Sequence, residues 1–190
     1  MNPTQLSHEL RNETTPDLTR RRWIVGLSIV GAMAAKLVSL YQVGILRNLP
    51  DPPIEVFDSA RVDAAPYAYS RLNAPDGPLM LISYGATALL ASMGGKERAR
   101  RTPLVPLLMT LKIAGDVVLA LQLAREEWRD TKALCFYCQI ATVASLVSLG
   151  LALPETVRAI QTVRDDDTSL ANGYGKPSLR ERMREIVVER

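Results

Sequence analysis

Cys135 and Cys138 are the two cysteines of the chain, and they stand two residues apart in Cys135-Phe136-Tyr137-Cys138. On a helical turn this spacing brings both sulfurs onto one face, close enough to form a small disulfide ring. At a helix N-terminus the free backbone N–H groups and the helix dipole favour a thiolate, which is the reacting form of a cysteine. Such a pair works as a reversible two-electron couple in an oxidising compartment. The competing reading is structural, because a free cysteine also packs well as a small apolar residue. Metal chemistry is not expected. A structural zinc site takes about four Cys/His-type ligands, and the single histidine, His8, lies far from the pair in sequence.

Ionisable residues inside apolar stretches form a second group. Lys36 sits ten residues before the end of the first apolar block, and Asp116 eight residues before the end of the third. These offsets correspond to depths of ~15 Å and ~12 Å along a helix. Lys112 precedes Asp116 by four residues, the spacing that lets two side chains pair on one helix. Charges at such depth face a bundle interior or a wet cavity. Two roles fit them: an ion pair that fixes helix register, or polar company for a molecule bound near the cysteines.

The elements that must position these residues are four apolar blocks, which run over 23–46, 78–94, 103–124 and 133–153. A ~30 Å hydrocarbon core needs about 20 helical residues, so the second block is short and the others suffice. A soluble helix carries a polar stripe, whereas Ile140 to Leu153 contains only Ser and Thr as polar residues. The mean hydropathy of +0.04 averages these blocks with very polar ends. The sequence therefore predicts an all-α, polytopic membrane protein, a bundle of four transmembrane helices over residues 23–154. A disordered cytoplasmic tail is expected at 1–22. Residues 155–190 are expected to form a polar linker and a short amphipathic cytoplasmic helix that begins near Ser178.

Charge sets the orientation. Arg20, Arg21 and Arg22 precede the first block, and Lys96, Arg98, Arg100 and Arg101 separate the second from the third. The stretch 47–77 holds three basic and five acidic residues. The positive-inside rule then puts both termini and the middle loop in the cytoplasm and the Cys-x-x-Cys near the outer face. The hairpin 125–132, with three basic residues, weakens the asymmetry. Trp23, Tyr41, Trp128 and Tyr137 fall at interface level. There they act as belt anchors, or, for Tyr137, as a contact to whatever the cysteines act on. Thr19-Arg20-Arg21-Arg22-Trp23-Ile24 also looks like a twin-arginine export signal, but the apolar run continues to Leu46 and three further blocks follow. The formal net charge of +3 gives no reason to expect nucleic acid.

Four membrane helices with Cys135-Phe136-Tyr137-Cys138-Gln139 opening the fourth resemble the vitamin K epoxide reductase family. The long outer stretch is similar too, in Phe57-Asp58-Ser59 and in Pro66-Tyr67-Ala68-Tyr69-Ser70-Arg71-Leu72. The resemblance implies a catalytic pair, Cys135 and Cys138, that exchanges electrons with a bound membrane quinone (ubiquinone or menaquinone). It also implies a periplasmic thioredoxin-like partner and a place in a bacterial inner membrane. Asp116, Lys36 and Tyr137 are the candidates for contact with the quinone. The sequence departs from the family at one point: residues 47–77 lack the second cysteine pair that relays electrons to the partner. Two functions stay open. One is a quinone-linked thiol–disulfide oxidoreductase; the other is a non-catalytic membrane subunit or assembly factor whose disulfide is structural.

Overall fold

The computed structural model describes the backbone of residues 2–171 and the side chains of residues 2–165, and the described residues are mostly helical. In chain order the helices are α1 (Pro3–Asn12), α2 (Pro16–Gln42), α3 (Ser59–Asp63), α4 (Asp76–Ser92), α5 (Arg98–Arg101), α6 (Leu104–Thr131) and α7 (Phe136–Ala171). Two short 3-10 turns, Pro66–Tyr69 and Arg71–Asn73, lie between α3 and α4. The four long helices α2, α4, α6 and α7 pack side by side. Three of them, α2, α6 and α7, are long and apolar enough to cross a membrane; α4, with 17 residues, is shorter.

Each long helix begins or ends outside its apolar block. Helix α2 starts at Pro16 because Thr15 caps it, its Oγ1 accepting the Leu18 N–H at 3.2 Å, and because Pro fits the first helical position. Helix α6 runs through the charged hairpin expected at 125–132 and stops where Lys132 turns left-handed, at φ 54°. Helix α7 passes through Pro154 and continues to Ala171. The tail expected to be disordered also departs from expectation. Helix α1 forms there and docks on the loop after α4, where Glu9 accepts the Lys96 N–H at 3.1 Å and Glu13 pairs with the Lys96 ammonium at 2.7 Å. The amphipathic helix expected at 179–190 lies outside the described residues.

Small residues let α2 and α4 approach closely, the packing mode that suits helices in lipid. A Cβ on Gly31 would stand 2.4 Å from Cε1 of Tyr84, and one on Gly77 would stand 2.6 Å from the backbone N of Ser39. The end of the bundle that holds both chain ends' helices is tied by arginines. Fully buried Arg98 binds Glu155 of α7 through two contacts, 2.7 and 2.8 Å, and donates to the carbonyls of Leu90 and Met93. Arg21 donates to the carbonyls of Ala91, Met93, Gly94 and Gly95. Together they satisfy the orphan carbonyls at the C-terminal end of α4, whose neighbours in sequence offer Gly rather than side-chain partners. Two of the arginines that mark the charged flanks in sequence are thus buried ties between helices.

The opposite end is roofed by residues 43–75. Asp58 caps α3, and its backbone pairs with the turn before α7: Asp58 N–H donates to Leu134 O at 3.2 Å, and Leu134 N–H to Val56 O at 2.9 Å. The Tyr41 hydroxyl donates to Ala60 O at 2.9 Å and the Tyr137 hydroxyl to Pro50 O at 2.6 Å, which pin this roof to α2 and α7.

Candidate functional site

Cys135 sits just before α7 and acts as its cap: its sulfur accepts the Cys138 N–H at 3.2 Å. The next donor of that helix end, the Phe136 N–H, goes to Ser59 Oγ at 2.9 Å. Ser59 is itself held by Asp51, which accepts both its N–H and its hydroxyl. The Cys135 N–H and the Gln139 amide both donate to Glu127 Oε2, each at 3.2 Å. The start of α7 is therefore capped by side chains from the roof and from the end of α6.

The same roof brings a carboxylate to the sulfurs. Asp63, the last residue of α3, is buried; it accepts the Cys135 thiol at 3.2 Å through Oδ2 and faces the Cys138 thiol at 3.9 Å through Oδ1. Burial pushes the Asp63 carboxyl up to about 7, helped by the negative charges of Asp76 and Asp51 and opposed by the two thiol hydrogen bonds. Burial likewise raises the Cys135 thiol, with Asp63 and Glu127 adding to it and the hydrogen bonds from Cys138 working against it. At this site desolvation outweighs the thiolate-favouring helix end, so a proton must have somewhere to go before Cys135 can react. Asp63 is the nearest acceptor.

The two cysteines face different surroundings. Cys135 is fully buried and belongs to a core cluster with Val38, Leu49, Val62, Ala133 and Tyr137. Cys138 is half-buried and lines a cavity of about 190 Å³ between α4, α6 and α7. Its wall is largely apolar, with Asp76, Ser83, Tyr84, Asp116 and Ser145 among its polar groups and Arg71 from the roof. Tyr84 spans α4 and α7, its hydroxyl at 2.5 Å from Ala141 O and 2.8 Å from Ser145 Oγ. Asp116 accepts the Ser83 hydroxyl at 2.8 Å and pairs with Lys112 at 2.5 Å; Lys112 also donates to Ser83 O and Thr87 Oγ1. Arg71, from the roof, bridges Asp76 and Glu126 at the cavity's edge.

Of the residues singled out in sequence, Cys135 and Cys138 adjoin one another, and Cys138 and Asp116 share the cavity. Lys36 is exposed on α2 and does not line it; the lysine that meets Asp116 is Lys112, its neighbour one turn away. Tyr137 is buried beneath the roof, neither at an exposed interface position nor at the cavity wall, and its hydroxyl serves Pro50. Cys135, placed by sequence at the aqueous side, is closed off by the roof. Sequence reasoning missed Asp63 and Glu127, since nothing local to either residue signals a thiol 72 positions away or a helix cap eight positions away. The donor count made from the sequence took only Cys and His residues. Asp63, Cys135 and Cys138 offer donor atoms that all lie within 4.8 Å of one another.

Comparison with known proteins agrees with this architecture. No curated protein and no solved structure matches the chain. The profile of the vitamin K epoxide reductase family matches residues 22–153, a stretch that contains the apolar parts of all four long helices, the roof and both cysteines. Since the match covers well over half of the chain, this membrane-helical protein belongs to the vitamin K epoxide reductase family.

Proposed function

We propose that the protein is a membrane thiol–disulfide oxidoreductase whose Cys135/Cys138 pair exchanges two electrons with a quinone held between α4, α6 and α7. The observation that carries this reading is the cavity: Cys138 opens onto a largely apolar space whose lining includes Asp116. Apolar pockets with a few convergent polar groups are the usual form of small-molecule sites. A ring-sized quinone head fits such a space, and Asp116 with Ser83 supplies polar company for a ring oxygen.

In the oxidising direction the balance is two electrons and two protons. Asp63 takes the proton of the Cys135 thiol. The Cys138 thiol gives up its proton on the cavity side, and the S–S bond forms as the two sulfurs together release one electron pair. A quinone bound in the cavity would take up that pair and the two thiol protons to become the quinol. Reduction of the disulfide by a quinol is the same sequence reversed.

With no second cysteine pair in the roof, exchange with a periplasmic thioredoxin-like partner runs directly through Cys135. The roof must lift for that contact, because Cys135 is buried beneath it. In this reading α4 completes four spans, both termini face the cytoplasm of a bacterial inner membrane, and the roof faces outward. The test is stoichiometric. The reduced, purified protein in lipid nanodiscs is mixed with a short-chain ubiquinone or menaquinone analogue, and thiols and quinol are counted. Two thiols lost per quinol formed is the expected result; intact thiols with either analogue would remove the reading.

A second reading has one observation in its favour. Cys135 is sealed in a core cluster under a roof that lacks the relay cysteines, as suits a non-catalytic subunit whose disulfide is structural. Its mark is a pair that stays oxidised whatever the quinone supply.

A further inference from the structure

We propose that the reduced pair, together with Asp63, forms a binding site for a thiophilic divalent cation of the zinc type, open only in the dithiol state. The inference rests on the quinone reading only in sharing its cysteines.

The geometry comes first. In a tetrahedral zinc site, metal–sulfur and metal–oxygen bonds of about 2.3 and 2.0 Å leave a sulfur and an oxygen ligand ~3.5 Å apart. Asp63 Oδ2 stands 3.2 Å from the Cys135 sulfur and Oδ1 3.9 Å from the Cys138 sulfur, and one donor atom from each of the three residues lies within 4.8 Å of the others. A turn of the Asp63 carboxylate that presents one oxygen to both sulfurs would complete three ligands.

Charge and burial come next. Two thiolates and a carboxylate bring three negative charges into a site where Cys135 and Asp63 are buried. A divalent cation offsets most of that charge, as buried ionised groups require. Glu127 adds a further carboxylate, its Oε2 at 3.2 Å from the Cys135 N–H.

A third observation concerns the open side. Tyr67 packs against the cluster that contains Cys135, and its hydroxyl is the buried side-chain polar atom that has no hydrogen-bond partner among the described residues. Buried polar atoms are normally paired. A water in the fourth metal position, the arrangement of three-ligand zinc sites, would donate an O–H to the Tyr67 hydroxyl oxygen. Serving three roles at once, the cation would hold the pair reduced, fill the site and satisfy the orphan. Disulfide formation removes both sulfur donors, so cation binding and oxidation exclude each other.

The experiment uses the full chain, reduced and in lipid nanodiscs under anaerobic conditions, with Co²⁺ as spectroscopic probe and Zn²⁺ as competitor. One Co²⁺ per chain with a thiolate-to-cobalt charge-transfer band, displaced by Zn²⁺ and absent after oxidation of the pair, is the expected result. Asp63→Asn should weaken binding at least about tenfold, since loss of even an outer partner of a metal site brings 10–100-fold. Cys138→Ser should abolish the band while its helical circular dichroism shows an intact fold. Equal binding by the Cys135→Ser/Cys138→Ser protein, or no band in the reduced wild type, would overturn the site. Quinone oxidation of the same metal-free sample is followed in parallel. Oxidation without cobalt binding refutes the metal site alone; cobalt binding without oxidation refutes the quinone reading and leaves the metal site standing.

Discussion

At the scale of the residue, the chemistry turns on where protons and charges can reside near two sulfurs. Cys135 has a helix end that favours its thiolate and a buried setting that opposes it, and Asp63 accepts its thiol hydrogen at 3.2 Å, which makes it the proposed proton acceptor. Replacing Asp63 with Asn keeps the size and removes the acceptor. Oxidation of the pair by quinone should slow by about 100-fold, the low end of what a positioned base contributes, with the fold retained by thermal melting; an unchanged rate would show that the proton leaves by another route. The cysteine pair was legible in the sequence because its spacing is local. Asp63 was not, because it belongs to a different element, and burial against α7 is a property of the assembled roof. The deep charges show the same divide. Asp116 was visible as an ionisable residue in an apolar stretch, yet two lysines competed as its partner, and only packing tells that Lys36 points out of the bundle while Lys112 turns toward Ser83 and Thr87. Asp116→Asn should cost roughly 3 kcal/mol by stranding the Lys112 cation, the scale of breaking a buried pair. Adding Lys112→Met should restore most of it, and Lys36→Met should restore nothing, both read from melting temperatures in detergent.

At the scale of the element, the helices are set by packing and capping as much as by hydropathy. The apolar blocks located all four long helices to within a few residues at their apolar ends, since a run of apolar residues is the strongest local signal a sequence carries. Their polar extensions were hidden for the same reason. Thr15 and Pro16 start α2 seven residues before Trp23, and α6 continues past Ala124 to Thr131. The arginines that read as flank charges serve as ties: Arg21 and Arg98 close the carbonyls at the end of α4, and Arg98 carries Glu155 into the buried end of the bundle. Close approach of α2 and α4 depends on Gly31 beneath the Tyr84 ring. Gly31→Ala should therefore destabilise by about 1–3 kcal/mol, the usual cost of overpacking. Because Tyr84 also lines the cavity, its displacement should lower quinone turnover as well as melting temperature. A stable Gly31→Ala protein with full turnover would show that the two helices can separate without moving the site.

At the scale of the whole molecule, the bundle has two unlike ends. One is bound by Arg21, Arg98 and Glu155 and covered by α1; the other holds the cysteines under the roof. Family membership and three helices fit for spanning put this body in a membrane. In the proposed orientation the basic residues at the first end face the cytoplasm. Single-cysteine probes at positions 58, 128 and 100, in a Cys135/Cys138-free background, test it with a membrane-impermeant thiol reagent. Positions 58 and 128 should react in intact cells and 100 only after lysis; labelling at 100 alone would invert the protein.

Electron exchange between the pair and membrane quinone, as proposed, is measured most directly by thiol trapping in native membranes. Membranes are prepared with normal and with depleted quinone, and free thiols are captured by a mass-shifting maleimide after acid quench. Cys135 and Cys138 should be largely oxidised with quinone present, shift to the reduced form on depletion, and return to the disulfide when a quinone is added back. The same disulfide fraction in all three samples would contradict that exchange.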